Sequence, residues 1–350
     1  MSGAPILVTG GAGCIGSNLA DALARDGHDV LIYDALSRPG VERNAAWLQE
    51  RHGERVTLIK ADIRDDAELR RAVAEAGAVF HFAAQVAVTT SLDDPRDDFE
   101  INLLGTFNLL EAIRAKHDTT PVVFASTNKV YGDLLDLDFA LEANGYTPTE
   151  PRIRDHGIGE DRPLDFHTPY GVSKGAADQY MLDYARSYGI PATVLRMSCI
   201  YGQRQMCTED QGWVAHFLIR ALNGEAITLY GDGHQVRDIC DVSDAVAAYL
   251  AAWRAIDRVQ GRAFNLGGGP ANAVSLRVLL DHIGTLIGRE PEVGFSDWRA
   301  GDQRYFVADT RALDTTLGLA QRVGWRDGVA ALASWLTAER APSPALERVS

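Results

Sequence analysis

The sequence predicts an α/β protein, built as a doubly wound parallel sheet with a smaller C-terminal substrate-binding lobe. Up to Gly202, short apolar runs alternate with helical stretches, the pattern of a parallel sheet covered by helices on both faces. The first run leads through a glycine-rich turn into a helix, and beyond Gly202 the alternation breaks. The expected parts are a sheet domain in residues 1–202 and about 240–269, a lobe in 203–239 and 270–340, and a disordered tail in 341–350.

The glycine-rich turn predicts a dinucleotide site. Gly10, Gly13 and Gly16 fit the Rossmann pattern. In that pattern the first glycine permits a tight turn, the second admits a pyrophosphate, and the third packs the helix on the strand. The phosphates would lie on the N–H groups at the helix N-terminus. The three glycines alone leave open the alternative of a turn without a ligand.

A second apolar run, residues 30–33, ends at Asp34, at the spacing where an acidic residue meets the adenosine ribose hydroxyls. Because a carboxylate repels a 2′-phosphate, this residue favours NAD over NADP. We expect Asp34 to lie at an exposed strand end. A third run, residues 56–59, ends near Asp62, which is a candidate adenine contact.

Three further apolar runs complete the predicted sheet. Residues 78–82 run into Ala83, residues 122–125 deliver Thr127, and residues 192–195 form the sixth strand. Ligands of a doubly wound sheet lie at the carboxyl ends of its strands, so the chemistry is expected at that edge.

The remaining pattern divides between the lobe and the sheet. Residues 214–221 have the apolar spacing of a helix, and residues 227–230 that of a short strand. Residues 242–253 and 263–266 are expected to return to the main sheet. A helix is also predicted around residues 98–116, from the spacing of Phe99, Leu103, Leu110 and Ile113.

The composition excludes several classes of partner. The formal net charge is −14 and no basic cluster opposes it, which argues against nucleic acid and anionic membranes. An anionic substrate must therefore be held by individual arginines. The four cysteines form no CxxC pair and the nine histidines are scattered, so no metal is predicted. No run approaches membrane-spanning length, and we expect a cytoplasmic protein.

A second decisive stretch surrounds Tyr170. Thr168 is a suitable N-cap and Pro169 a suitable first helical residue, which places Tyr170 in the first turn and Lys174 on the same helix face. The ammonium group and the helix dipole both favour a tyrosinate, so Tyr170 is predicted to be a base near neutral pH. Thr127 offers a hydroxyl to the same substrate oxygen. Taken alone, an exposed tyrosine above a solvated lysine is the alternative.

At these residues the chain resembles the extended short-chain dehydrogenase/reductases that modify nucleotide sugars. The resemblance covers nearly the whole length, through TGGAGCIG, HFAAQ, STNKVYG, YGVSK, RMSCIYG, YGDGHQVRD and RAGDQR. It implies that Thr127, Tyr170 and Lys174 are catalytic. The NAD contacts that it implies are Gly10, Gly13, Cys14, Ile15, Gly16, Asp34, Asp62, Ile63, Ala83, Ala84, Gln85, Tyr170, Lys174 and Met197. The substrate contacts that it implies are Asn128, Cys199, Trp213, Arg237 and Arg299.

Some of these assignments have alternatives. Arg237 and Arg299 match arginines that grip the substrate diphosphate, a task that suits bidentate guanidinium geometry. Trp213 lines the nucleotide pocket or belongs to the core. Asn102 matches a buried polar residue near the active site, or is a helix-face asparagine without a role.

Three departures from the family pattern bear on the type of reaction and on the identity of the sugar. Dehydratases of this family carry an acidic pair after the catalytic threonine, and here those positions are Asn128 and Lys129, so elimination loses its acid and base. Many 4-epimerases and dehydratases have an asparagine at the position of Cys199. Gln203, Met206 and Cys207 also differ from the expected substrate loop, which leaves the exact sugar open.

The resemblance implies an NAD-dependent epimerase, within the branch that inverts C2 of a CDP-linked sugar by transient oxidation to a keto sugar. A CDP-glucose-type 2-epimerase and a nucleotide-hexose 4-epimerase are the alternatives within this class. A catalytically silent NAD-binding regulator is the alternative outside it, and the intact Thr127, Tyr170 and Lys174 argue against that. The family also implies a homodimer or homotetramer, formed through the helices around residues 98–116 and 170–186.

Overall fold

A computed structural model describes residues 3–116, 120–207, 211–319 and 322–340, and the predicted tail at residues 341–350 lies outside them. The strands are β1 (Ile6–Thr9), β2 (Val30–Asp34), β3 (Val56–Lys60), β4 (Ala78–His81), β5 (Val122–Thr127), β6 (Phe139–Glu142), β7 (Gly145–Pro148), β8 (Ala192–Met197), β9 (Cys199–Tyr201), β10 (Ile227–Tyr230), β11 (Val236–Asp241), β12 (Ala263–Leu266), β13 (Ala273–Ser275), β14 (Val293–Ser296) and β15 (Tyr305–Phe306).

The helices are α1 (Cys14–Arg25), α2 (Val41–His52), α3 (Asp66–Glu75), α4 (Val88–Asp93), α5 (Pro95–Phe99), α6 (Gly105–Lys116), α7 (Pro151–His156), α8 (Thr168–Tyr188), α9 (Trp213–Asn223), α10 (Val242–Arg254), α11 (Ile256–Val259), α12 (Leu276–Ile287), α13 (Arg311–Leu317) and α14 (Trp325–Arg340). Short 3₁₀ turns occur at Gly53–Arg55, Asn128–Tyr131 and Pro270–Asn272, and a π-helical turn occurs at Glu100–Leu104. Within the described ranges, no helix has both the length and the apolar character needed to cross a bilayer.

The central sheet has seven strands in the order β12-β8-β5-β4-β1-β2-β3, and every neighbouring pair is parallel. The predicted doubly wound parallel sheet is therefore confirmed. The chain runs outward from β1 through β2 to β3, then returns to the other side of β1 to form β4 and β5. Such a reversal opens a crevice at the carboxyl ends of the strands on either side of it.

Both faces of the sheet are buried, because neighbouring residues of one strand point to opposite sides. In β4, Phe80 joins a core with Leu19 and Tyr249 on one face. Val79 joins a second core with Leu69 on the other face. The strands therefore read as continuous apolar runs rather than as alternating ones.

The lobe is built mainly from α9, α12 and α14, with small sheets beside them. These helices share an apolar core that includes Phe217, Leu279 and Leu332. Strand β10 pairs with β14, and β11 pairs with β9, β13 and β15. Strand β12 pairs with β8 in the central sheet, and α10 packs against the apolar core that contains Phe80. Both segments therefore return to the main sheet, as the sequence predicts. The hairpin β6–β7 is an element that the sequence analysis did not identify.

A buried ion pair fixes α8 on the sheet. Arg196 of β8 donates from Nε to Oδ2 of Asp178 at 2.9 Å and from Nη2 to Oδ1 at 3.0 Å. Ser126 of β5 donates to the same Oδ2 at 2.8 Å. Asp178 is 0% exposed and Arg196 is 5% exposed. Because α8 also carries Tyr170 and Lys174, the Arg196–Asp178 ion pair helps to position both residues relative to the strand ends.

Arg196→Met is expected to lower the free energy of unfolding by about 3–5 kcal/mol, because it leaves the Asp178 carboxylate buried without its cation. Urea denaturation followed by circular dichroism measures the change. The matched control is Arg186→Met, which breaks an exposed pair with Asp183 on the same helix, 3.8 Å apart, and should change stability by less than about 0.5 kcal/mol. Equal, small losses in both variants would contradict the role of the buried pair.

Candidate active site

A cavity of about 780 Å³ lies along the carboxyl edge of the sheet and extends to the lobe. All the site residues that the sequence predicts line it, and they are Gly10, Gly13, Cys14, Ile15, Gly16, Asp34, Asp62, Ile63, Ala83, Ala84, Gln85, Thr127, Asn128, Tyr170, Lys174, Met197, Cys199, Trp213, Arg237 and Arg299. Their separate roles remain predictions. Within the described ranges, no group of three or more His, Cys, Asp or Glu side chains is placed to hold a metal ion.

The glycine turn at one end of the cavity has the shape that a pyrophosphate needs. Gly10 has φ +67°, and a Cβ there would lie 2.7 Å from the backbone nitrogen of Ala83. A Cβ on Gly16 would lie 2.4 Å from the Gly10 carbonyl oxygen. The N-cap of the 12-residue helix α1 is Gly13, and no side chain caps the helix. The first N–H groups of α1 are therefore open to an anion, which fits a dinucleotide.

Asp34 closes the adenosine side of this turn. Its Oδ2 accepts a hydrogen bond from the Ala12 N–H at 2.9 Å, and its Oδ1 accepts one from the Leu36 N–H at 2.8 Å. The expectation of an exposed strand end is wrong, because Asp34 is partly buried in the cavity wall. Burial raises the pKa of its carboxyl group, and the two backbone hydrogen bonds oppose that rise.

Asp62, the candidate adenine contact, is already paired. Arg64 donates to its two carboxylate oxygens at 2.9 and 2.7 Å. The hydrogen bonds from Arg64 lower the pKa of Asp62. This pair keeps the carboxylate ionised at the rim of the cavity beside Ile63.

The three predicted catalytic side chains meet at the middle of the cavity. Thr127 is the last residue of β5, and its side chain lies near the Tyr170 hydroxyl, where it acts to lower the pKa of that phenol. Tyr170 and Lys174 lie one turn apart on α8 and are 8% and 3% exposed. The Lys174 Nζ lies 4.2 Å from the ring centroid of Phe124. The alternative of an exposed tyrosine above a solvated lysine is therefore excluded.

The start of α8 differs in detail from the predicted cap. The helix begins at Thr168, and the residue before it, His167, makes no side-chain cap. Thr168 has φ +62°, and its Oγ1 accepts the Gly171 N–H at 3.4 Å. The Thr168 hydroxyl therefore caps the first turn of the helix to which Thr168 itself belongs, and the Thr168 backbone is left-handed.

The electrostatic expectation for Tyr170 is wrong for the protein by itself. Burial raises the pKa of the Tyr170 hydroxyl to about 12. The Thr127 side chain acts to lower this pKa, and the Asp98 carboxylate raises it further. Burial also lowers the pKa of Lys174 to about 7, although Asp178 and Asp98 oppose this. The ammonium and the helix dipole both favour a tyrosinate, but the loss of water around the buried phenol has the larger effect on its pKa.

A buried polar network supports this pair. Ser173 donates to Oδ2 of Asp98 at 2.5 Å, and Asn102 donates from Nδ2 to Oδ1 of Asp98 at 3.0 Å. The Asn102 Oδ1 accepts the Gln85 N–H at 2.9 Å. Asn102 lies in the π-helical turn that interrupts the single helix predicted around residues 98–116. The network therefore joins the loop after β4 to the catalytic helix.

Asp98, Ser173 and Phe124 are members of this site that were not predicted from the sequence. Asp98 follows several other acidic residues in a polar stretch, and nothing in the sequence marks it as 0% exposed. Ser173 lies between the two predicted catalytic residues of α8, and that position was the one available signal.

At the lobe end, two arginines line the cavity. Arg237 of β11 is 7% exposed and donates from Nη2 to Oδ1 of Asp302 at 2.5 Å. The Arg299 guanidinium carbon lies 3.6 Å from the ring centroid of Tyr230. Both guanidinium groups therefore line the cavity, and their binding of a diphosphate stays a prediction.

Trp213 and Cys199 form the neighbouring wall. The Trp213 Nε1 donates to the Cys199 Sγ at 3.4 Å, and the indole ring packs edge to face on Phe217 at 5.6 Å. Trp213 lines the cavity and also packs against the apolar core of the lobe, so its place in the core is observed and its contact with a nucleotide stays a prediction.

The two residues after Thr127 point toward the lobe segment around Gly301. Asn128 donates from Nδ2 to Oε1 of Gln303 at 3.1 Å. Lys129 donates from Nζ to the Gly301 carbonyl at 2.8 Å, and burial lowers its pKa. Gln303 and Gly301 were not predicted. They connect the strand that carries Thr127 to the segment that carries Arg299.

Comparisons with known proteins agree with this geometry. Residues 6–267 match the model of the NAD dependent epimerase/dehydratase family. The chain is 40% identical over 337 residues to CDP-paratose 2-epimerase of Salmonella typhi, covering 94% of this chain and 98% of that protein.

Solved structures share the whole fold. The UDP-glucose 4-epimerase of Thermotoga maritima, solved with UDP-glucose, has a TM-score of 0.81 at 29% identity and covers 96% of this chain and 99% of that one. The UDP-glucose 4-epimerase of Thermus thermophilus, solved with NAD, has a TM-score of 0.79 at 31% identity and covers 95% of this chain and 99% of that one.

The buried Lys174 predicts a pH dependence of stability. Its pKa is about 7 in the folded protein, well below the ordinary value of 10.5 for a lysine. Between these values the unfolded chain binds a proton that the folded chain has lost, so this residue makes the free energy of unfolding rise with pH. The rise approaches about 1.4 kcal/mol per pH unit for one proton.

Urea denaturation between pH 7 and 9 should show this rise in the wild type and its loss in Lys174→Met. Lys60→Met, at an exposed position, is the control and should follow the wild type. A constant difference between wild type and Lys174→Met over this range would show that Lys174 is fully charged in the folded protein.

Proposed function

This chain belongs to the NAD dependent epimerase/dehydratase family and is an NAD-dependent epimerase, and we propose that it inverts C2 of a CDP-linked sugar. The observation that carries the choice of sugar is the likeness to the Salmonella typhi CDP-paratose 2-epimerase over nearly the full length of both chains. The substrate is then CDP-paratose or a sugar close to it.

The site residues have complementary tasks in this reaction. Bound beside these residues, NAD would supply a reversible hydride acceptor for the sugar carbon. Tyr170 takes the proton of the sugar hydroxyl, and the Thr127 hydroxyl holds the same oxygen. The pKa of Tyr170, about 12 in the protein alone, must fall for this task. The pKa of the phenol falls when a positive charge lies close to it, and a protonated Lys174 supplies such a charge.

The residues after Thr127 support an epimerase over a dehydratase. Elimination of water requires an acid and a base beside the sugar, and neither Asn128 nor Lys129 is a carboxylate. The Asn128 amide is held by Gln303, and Lys129 is held by the Gly301 carbonyl. Oxidation of a hydroxyl and reduction of the resulting ketone is the chemistry that this set of side chains supports.

The substrate would bind with its diphosphate on Arg237 and Arg299 and with its nucleotide near Trp213. This arrangement places the sugar between the arginines and Tyr170, along the length of the cavity. A nucleotide-hexose 4-epimerase is the second candidate, since the solved relatives include UDP-glucose 4-epimerases. The burial of Thr127, Tyr170 and Lys174 together in the wall of one cavity argues against a catalytically silent regulator.

The four cysteines are all free in the structure, which supports the proposal that the protein works in the reducing cytoplasm. Its net charge of −14 fits a small-molecule substrate better than nucleic acid or an anionic membrane. We propose no macromolecular partner other than further copies of the chain.

The reaction is tested with CDP-paratose deuterated at C2. A C2 proton without an adjacent carbonyl is not acidic, so direct deprotonation has a high barrier, whereas oxidation moves the hydrogen as a hydride. NMR of the epimer formed in ordinary water should therefore show the label retained at C2. Tyr170→Phe should lower turnover by about 10²–10⁴-fold with NAD still bound.

Two results would reject the assignment. Loss of the label to solvent indicates enolisation, and inversion at C4 of UDP-, dTDP- or GDP-sugars in a parallel panel indicates a 4-epimerase. A Tyr170→Phe variant with turnover within a few-fold of the wild type would remove the tyrosine from the mechanism.

We also propose a homodimer formed by α6 and α8, or a tetramer that contains this contact. Both helices bury one face in the central core and expose apolar side chains on the other. Phe107 is 36% exposed, Tyr180 42% and Tyr188 55%, and the Phe107 and Tyr180 rings lie 5.9 Å apart. Such a contiguous exposed apolar surface is typical of a protein interface.

Light scattering at micromolar concentration should give the mass of a dimer or tetramer. Phe107→Glu places a charge in the proposed contact and should shift the mass to that of a monomer. Leu286→Glu is the matched control, because Leu286 is 38% exposed on α12 in the lobe. A monomeric wild type, or a Phe107→Glu variant that keeps the wild-type mass, would refute this interface.

A further inference from the structure

We propose that residues 203–206 form a strap that retains NAD, in which Gln205 contacts the bound cofactor and Arg204 holds the segment over the glycine turn. The inference rests on the proposed function, since it assigns new residues to the same dinucleotide site. The strap leaves β9 toward the lobe and crosses the N-terminal end of α1. The family pattern of glycines and acidic residues does not include these positions.

Backbone carbonyls of the strap are held by asparagines of the sheet domain. The Gln203 carbonyl accepts a hydrogen bond from the Asn18 Nδ2 at 3.1 Å. The Arg204 carbonyl accepts one from the Asn44 Nδ2 at 3.0 Å, and the same amide donates to the Ala12 carbonyl at 2.9 Å. One buried amide group therefore ties the strap to the glycine turn directly.

The Arg204 side chain contacts both the sheet domain and the lobe. Its guanidinium carbon lies 3.8 Å from the ring centroid of Trp47 on α2 and 5.7 Å from that of Trp335 on α14. Arg204 has φ +66°, a left-handed backbone that is unfavourable for a residue with a Cβ. The two indole contacts and the Asn44 hydrogen bond stabilise a conformation that the segment alone would disfavour.

Gln205 presents an unused acceptor inside the cavity. Its Nε2 donates to the Ile200 carbonyl at 3.1 Å, which fixes the orientation of the amide. The Oε1 is buried and has no hydrogen-bond partner among the residues that the structure describes. Gln205 lines the same cavity as Gly10 and Gly13. A buried acceptor without a partner is unfavourable, and the ribose hydroxyls and carboxamide of NAD supply the donors that would satisfy it.

Met206 completes the enclosure. Its side chain packs against the small apolar cluster of Ala12, Val41 and Ala45 and also lines the cavity. The Met206 contact therefore adds an apolar attachment of the strap to the glycine turn and to α2. The arginines that would bind the substrate lie at the other end, so nucleotide sugars can exchange while the cofactor stays. An epimerase that returns its hydride to the same sugar needs this difference in exchange rates.

The strap is tested by the rate at which protein-bound NAD exchanges with excess NAD labelled in the adenine ring, measured by rapid filtration. Arg204→Met removes the anchor, and Gln205→Leu removes the acceptor. Each variant should exchange NAD about tenfold faster than the wild type, the effect expected for one lost interaction. Arg326→Met is the control, because Arg326 lies 4.3 Å from the Trp325 ring, outside the cavity, and should leave exchange unchanged.

The outcomes separate the strap from the proposed function. Wild-type exchange rates in both variants, with epimerisation intact, overturn the strap alone. A wild type that binds no NAD overturns the proposed function and the strap together. If Arg204→Met does not fold, Gln205→Leu decides, because it changes one side chain at the cavity wall and keeps the backbone anchors.

Discussion

The burial of Lys174 near the carboxylates of Asp98 and Asp178 is the interaction on which the rest of the site depends. Asp178 is held by Arg196 and Ser126, which fixes α8 on the sheet. Asp98 is held by Ser173 and Asn102, which fixes α8 on the loop after β4. Loss of water lowers the pKa of Lys174 to about 7, and the carboxylates oppose that shift. The position and the charge of this lysine are therefore set together.

This balance suits a site that must change its proton affinity during a reaction. With a pKa of about 7, Lys174 is only partly protonated near neutral pH, and with a pKa of about 12, Tyr170 is uncharged. Binding of a charged group nearby then shifts both pKa values, because screening by water is weak in a buried cavity. The site can take a proton from a hydroxyl when its ligands are present, without storing a tyrosinate when they are absent.

The two ends of the cavity differ in how they are held. At the sheet end, the glycine turn, Asp34 and residues 203–206 are tied by hydrogen bonds between side chains and backbone groups and by the Arg204 contact with the Trp47 ring. At the lobe end, Arg237 and Arg299 are placed by side-chain contacts with Asp302 and Tyr230. Side chains rearrange more readily than backbone anchors. Because the proposed substrate end is held by side-chain contacts alone, we expect it to adapt more readily than the proposed cofactor end.

The sequence by itself determined the parallel sheet, the glycine turn with Asp34, and the pairing of Tyr170 with Lys174 on one helix face. These depend on local patterns: apolar runs, glycine spacing and one helical turn. Only the tertiary structure decided the pKa values of Tyr170 and Lys174, the burial of Asp98, the π-helical turn at Asn102 and the contact of residues 203–206 with the glycine turn. Each of these depends on segments distant in the chain that meet and exclude water, and burial of that kind leaves no periodic signal in the sequence.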